Sequence, residues 1–202
     1  DPADAWEDTG AFELVMLRDA AYELGGSGKS AVNFTCVTTS SALVPRDEIV
    51  VCGPDLDQLT GDSHYARIAL LRVGDIESDD EDDTEQAFRA IQDMDFVKYH
   101  VFPKGFMMRT SSESSREQVR ISRDALRRGM SFRSVGADFI RRYKQNRSIL
   151  AVKLLFITAP DADYAAMARD AKTVKDITLS LTRIMEGMPT DCGSCNLKAI
   201  CD

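Results

Sequence analysis

Two periodicities alternate along the chain. Runs of β-branched and apolar residues at 31–38 (AVNFTCVT), 48–52 (EIVVC), 65–73 (YARIALLRV) and 151–158 (AVKLLFIT) read as strands, with a shorter one at 118–122 (QVRIS). Helical spacing appears over 12–24, where Gly25-Gly26 ends it. It returns over 134–146, with Val135, Phe139, Ile140 and Tyr143 on one face. The clearest helix starts at Asp161 or Asp163. It carries Tyr164, Met167, Ala171, Val174, Ile177, Leu181 and Ile184 at steps of three and four, and stops at Gly187 before Pro189. Ser122 is placed to cap a short helix, RDALRR, that Gly129 ends. The acidic run 77–83 reads as a loop whose charge favours a helix from about Thr84, with Phe88, Ile91 and Gln92 at helical spacing. Residues 96–110 are ambiguous: 96–102 alternates like a strand, and Pro103-Lys104-Gly105 reads as a turn.

From residue 65 the order is strand, helix, strand, helices, strand, helix. That order predicts an α+β fold, a mixed β-sheet with helices packed mainly on one face. The expected organisation is an N-terminal α/β segment over 1–60 packed on a main α+β domain over 61–188, with a cysteine-containing tail at 189–202. The first residue is Asp1 and both ends read as cut, so the expectation is a piece of a longer protein.

Charge changes the picture in one place. The net charge of −8 argues against general nucleic-acid binding. Yet the segment from Arg109 to Lys153 holds 12 of the 25 basic residues and only 4 of the 33 acidic ones. An acidic protein with a basic middle suggests a local anion site. Solvated helix faces paired with nearby acids would give the same pattern. Arg116, Arg120, Arg123, Arg127, Arg128 and Arg133 concentrate within 114–136, and such an array suits a ligand with several phosphates, which guanidinium groups bind bidentately.

No run approaches the roughly 18 apolar residues of a membrane span, and no signal-peptide pattern opens the chain. Five cysteines without a secretory signal point to a reducing, cytoplasmic setting. Cys36 and Cys52 lie in strand-like runs and read as buried thiols. Cys192, Cys195 and Cys201 have the spacing C-x2-C-x5-C, which suits an iron–sulfur cluster or zinc but is one ligand short of a closed site. Cys36, Cys52, a histidine or further sequence would have to supply the fourth. Three reduced thiols at a frayed end are the alternative.

Gly28-Lys29-Ser30 looks like the end of a phosphate-binding loop. The loop's first glycine would fall at Glu23, where a carboxylate would face the phosphates. A helix is expected before the glycines and a β-branched run after them, the reverse of the strand–loop–helix that such a loop needs. A nucleotide hydrolase is excluded on both counts.

Several of these stretches, in order, resemble the acetyl-CoA synthase (beta) subunit of the carbon monoxide dehydrogenase/acetyl-CoA synthase complex. In VRISRDALRRGMSFRSVG (119–136), Arg120, Ser122, Arg123, Arg128, Gly129, Phe132, Arg133 and Gly136 match the family's pattern. GPDL (53–56), LLFITAPDADY (154–164) and ELGG followed by Lys29 are similar to further family elements. The resemblance spans roughly residues 12–190, while 96–116 departs from it. It implies the family's middle domain, coenzyme A as substrate held by basic residues, and an anaerobic setting. It also implies as partners the carbon monoxide dehydrogenase subunit and a corrinoid iron–sulfur protein. The family's Cys-Gly-Cys nickel motif does not occur in these residues, so this stretch alone is expected to be inactive in acetyl transfer. The competing expectation is a non-catalytic iron–sulfur or protein-interaction module of the same fold.

Overall fold

A computed structural model describes residues 19–74, 103–111 and 114–185, with the single positions 92, 94, 97 and 101. In chain order the elements are β1 (Ala20–Leu24), β2 (Ala31–Thr38), β3 (Glu48–Cys52), β4 (Tyr65–Val73), β5 (Phe106–Thr110) and β6 (Glu117–Ser122). Then come α1 (Arg123–Arg127), α2 (Phe132–Tyr143), β7 (Ile149–Ile157) and α3 (Tyr164–Met185). They form two sheets. One is antiparallel with strand order β1-β6-β5. The other is four-stranded with order β2-β4-β7-β3, in which β2/β4 and β3/β7 are parallel and β4/β7 antiparallel.

The alternation in β4 and β7 explains the layering. Side chains on a strand point to opposite faces in turn. Tyr65, Ala69, Leu71 and Val73 of β4, with Val152, Leu154 and Phe156 of β7, enter a large core shared with α2 and the antiparallel sheet. Ala66 and Ile157 enter a second core with Val32, Phe34, and Tyr164 and Ala171 of α3. Both central strands are therefore covered on two sides, which is why they read as nearly continuous apolar runs. Phe132, the first residue of α2, joins the layers. Its ring stacks 4.7 Å from Phe156 and 6.2 Å from Tyr65, and meets Phe106 edge-on at 6.4 Å.

The α+β class and the mixed sheet expected from sequence are observed. The helices divide between the two faces of the larger sheet, α2 on one and α3 on the other. The expected helix over 12–24 is corrected at its end: 20–24 is a strand. Tyr22, Glu23 and Leu24 pair with Ile121, Arg120 and Val119, and Leu24 is fully buried. A short apolar run fits either period, and here the neighbouring strand decided it. Val97 is helical, against the strand-like alternation read there, and apart from Val101 the rest of 96–102 lies outside the described residues. Gln92 is helical as expected. The acidic loop 77–83, the helix start at Thr84 with Phe88 and Ile91, the stop at Gly187 and the cysteine tail lie outside the described residues. Asp163 caps α3, its carboxylate accepting the Ala166 N–H at 2.8 Å.

Candidate functional site

The basic segment folds as a strand–helix–helix elbow. Ser122 ends β6 and caps α1, its hydroxyl oxygen accepting the Ala125 N–H at 3.3 Å while its O–H donates to Asp19. Gly129, at φ +86°, turns the chain, and the Gly129 and Met130 N–H groups return to the Leu126 and Ala125 carbonyls. Ser131 and Ser134 then form a reciprocal capping box that starts α2.

Two distant turns hold this elbow. Asp55, in the GPDL turn, accepts the Leu56 N–H at 2.7 Å and the Phe132 N–H at 2.8 Å. The carboxylate is thus the resident anion at the α2 N-terminus, where the helix dipole favours it. On the other side, Gly105 accepts the Ser122 N–H at 2.9 Å. A Cβ on Gly105 would stand 2.4 Å from the Ala125 Cβ, so only glycine lets this turn approach α1 so closely. Between the turn and the two helices lies a cavity of about 240 Å³, with Lys104 and Arg128 among its lining residues.

The structure assigns the six arginines different surroundings. Arg116 directly precedes β6, the central strand of the antiparallel sheet, and donates to the carbonyls of Gly25, at 2.7 Å, and Gly26, at 3.1 Å. Arg120 pairs with Glu23 across β1 and β6. Arg128 pairs with Asp124 one turn away, with both side chains about half exposed at 53% and 51%. Arg123 and Arg127 on α1 and Arg133 on α2 are exposed. Among the described residues none of these three has a carboxylate partner. The elbow therefore carries Arg123, Arg127, Arg128 and Arg133 on its exposed surface, while Arg116 and Arg120 are tied to the β1 region.

The loop that resembles a phosphate loop has another role. A strand precedes it, where a helix was expected, and a strand follows it. The Gly25 N–H donates to Ser63 O at 2.7 Å and the Gly26 N–H to Asp62 Oδ1 at 3.0 Å. A Cβ on Gly26 would stand 2.4 Å from Asp62 Oδ2. Arg116 and Asp62 clasp the glycine pair from two sides.

Sequence reasoning missed a buried ion pair. Arg67 and Glu117 are both 0% exposed. Glu117 accepts from Arg67 Nε at 2.9 Å and Nη2 at 2.5 Å, from the Tyr65 hydroxyl at 3.1 Å and from the Thr110 hydroxyl at 3.2 Å. The guanidinium also lies 4.3 Å from the centre of the Phe139 ring. Burial opposes its charge, but Glu117's charge and hydrogen bonds outweigh that and raise its pKa above the ordinary value. Burial, with Glu117 beside it, pushes the Tyr65 phenol well up. The signal was present. Arg67 shares an inward phase with Tyr65 and Ala69, and Glu117 shares one with Val119 and Ile121.

The described residues do not fit a metal centre: no group of three or more His, Cys, Asp or Glu comes together among them. Cys36 and Cys52 sit on β2 and β3, the two edges of the four-stranded sheet. Three strand spacings, roughly 14 Å, separate such edges, too far for one ion or cluster. Burial, then Asp170, pushes the Cys36 thiol pKa up. Cys192, Cys195 and Cys201 lie outside the described residues. No helix among the described residues is long and apolar enough to cross a membrane.

Residues 9–162 match a family model described as the CO dehydrogenase/acetyl-CoA synthase complex beta subunit. No curated protein sequence matches the chain.

Proposed function

Because the chain belongs to the family of CO dehydrogenase/acetyl-CoA synthase complex beta subunits, we propose that it serves that complex by positioning coenzyme A along the α1–α2 elbow. The observation that carries this reading is that Arg123, Arg127 and Arg133 are exposed on α1 and α2, the two helices that also contribute Arg128 and other lining residues to the cavity. Guanidinium groups without a carboxylate partner are free to take phosphate oxygens. Arg116 and Arg120 hold the β1 region in place and leave the binding to the other four.

In this reading the elbow binds and orients the coenzyme, and its thiol is delivered to chemistry performed elsewhere in the assembly. The CO dehydrogenase subunit and a corrinoid iron–sulfur protein are the proposed neighbours. Cys192, Cys195 and Cys201 are the proposed ligands of an iron–sulfur cluster or zinc. Metal and sulfide analysis of anaerobically purified protein, with thiol alkylation, tests that assignment. Substoichiometric metal with all three thiols alkylated removes it.

Calorimetry of the full chain with coenzyme A tests the central claim. Binding at low ionic strength that weakens with added salt is expected, because exposed charges are screened. Arg123→Ala, Arg127→Ala and Arg133→Ala together should weaken it by about tenfold or more. No binding at low salt, or an unchanged affinity in a folded triple variant, overturns the reading and favours the interaction module.

A further inference from the structure

The cavity at the elbow has a chemistry that the exposed arginines do not share. Pro103, Met130 and Val135 give it an apolar wall, and Lys104 and Arg128 give it two cations. Asp138, also on its lining, adds an acceptor and is steadied by Arg141 at 2.9 Å. A simple anion would use the two cations and leave the wall and the carboxylate idle. A ligand that satisfies all three parts combines an apolar face, a hydrogen-bond donor and an anionic group, as a phosphorylated aminopurine does. At about 240 Å³ the cavity is below the roughly 300–1,000 Å³ of pockets that enclose a whole drug-sized ligand. It therefore takes one end of a larger molecule.

We infer that this cavity is a subsite for an aminopurine carrying a terminal phosphomonoester, which in coenzyme A is the 3′-phosphorylated adenosine end. The inference rests on the coenzyme A reading above and adds to it which end of the molecule is recognised, and by what. The ring lies against Pro103, Met130 and Val135, its amino group donates to Asp138, and Lys104 and Arg128 take the phosphomonoester. Arg128 must leave Asp124 to do so, and that i, i+4 pair is exposed enough to be worth little. Met130 suits the wall because its unbranched thioether adapts to a ring. Arg123, Arg127 and Arg133 remain for the pyrophosphate.

The two readings fail differently in one calorimetric series on the full chain. Its ligands are coenzyme A, dephospho-coenzyme A and adenosine 3′,5′-bisphosphate. Coenzyme A is expected to bind about tenfold or more tightly than dephospho-coenzyme A, and the bisphosphate to compete with it. In Lys104→Ala plus Arg128→Ala that preference should vanish, while the melting temperature holds and dephospho-coenzyme A still binds. Coenzyme A that does not bind at all defeats the parent reading. Equal binding of the first two ligands leaves the parent reading standing and defeats the subsite. A preference that survives the double substitution also defeats it, because the phosphomonoester is then recognised elsewhere.

Discussion

Replacing Glu117 with Gln should be among the most damaging isosteric changes in the described structure. The substitution keeps the shape and removes the charge. Arg67 would then stay fully buried beside a neutral amide, with Nη1 already lacking any hydrogen-bond partner among the described residues. One amide oxygen would replace two carboxylate oxygens that together accept four hydrogen bonds. Breaking a buried ion pair by removing one partner costs roughly 3–5 kcal/mol. Native stabilities are about 5–15 kcal/mol, so this is a large share of the whole. For a chain of this length each kcal/mol moves the melting temperature by about 2–4 °C, so a fall of roughly 6–20 °C is expected. The measurement is urea unfolding followed by circular dichroism, repeated for Arg67→Met, for Glu117→Leu and for the two together. The double replacement should recover most of the loss, because no charge is then stranded, although the Tyr65 and Thr110 hydroxyls lose their acceptor at about 1 kcal/mol each. A cost below about 1 kcal/mol for Glu117→Gln, or a double variant as weak as the sum of the singles, would refute the claim that the pair is desolvated and coupled.

Three further outcomes follow from the geometry. Gly26→Ala should destabilise by about 1–3 kcal/mol, because the new Cβ meets the Asp62 carboxylate at 2.4 Å; Gly28→Ala, with open space around it but φ +75°, should cost less, and equal costs in thermal unfolding would contradict the packing account. Asp55→Ala should cost about 0.5–2 kcal/mol because the Phe132 N–H at the start of α2 loses its carboxylate acceptor, read by urea unfolding, with Asp55→Asn recovering part of it. Raising the pH should weaken the fold above the ordinary tyrosine range. Burial lifts the phenols of Tyr22, Tyr65 and Tyr143, and pushes Tyr164 up to about 12, so their stabilisation is complete below about pH 10 and is lost as the pH climbs through the folded values. Ultraviolet titration should show delayed tyrosinate formation that coincides with unfolding, and normal titration of all the phenols in the folded protein would contradict it.

Much of the architecture was legible because β2, β3, β4, β7, α2 and α3 each carry one clear period. The strand at 20–24 was not, because five residues fit either period and only the ladder to β6 selects one. The basic elbow was legible as composition, and the cap at Ser122 and the stop at Gly129 as local chemistry. Which arginines are available was not. Arg116 is engaged by carbonyls some ninety residues earlier in the chain, and Arg120 by a carboxylate on a neighbouring strand. Long-range pairing of this kind leaves no mark in local spacing. The buried pair of Arg67 and Glu117 did leave one, a charge on the inward phase of each of two apolar strands.

Within the stretches that carry the family resemblance, the glycines, Asp55 and Ser122 turn out to be joints. Gly25 and Gly26 are packed against Ala31 and Asp62. Gly53, at φ +112°, brings the GPDL turn against the backbone at Ala159, and Asp55 of that turn reaches across to Phe132. Ser122 links β6 to α1, and Gly136 lets α2 lie on Ile49. The joints at Asp55, Ser122 and Gly136 fix where the elbow sits, and none needs to touch a ligand. The joints and the proposed coenzyme contacts can therefore be substituted separately. A substitution at Gly26 or Asp55 acts on stability first and on any ligand only through a displaced elbow. A substitution at Arg123, Arg127 or Arg133 removes exposed charge and leaves the joints intact. If coenzyme A affinity followed the joints but ignored those arginines, the site would have to lie away from the elbow, whatever family the chain belongs to.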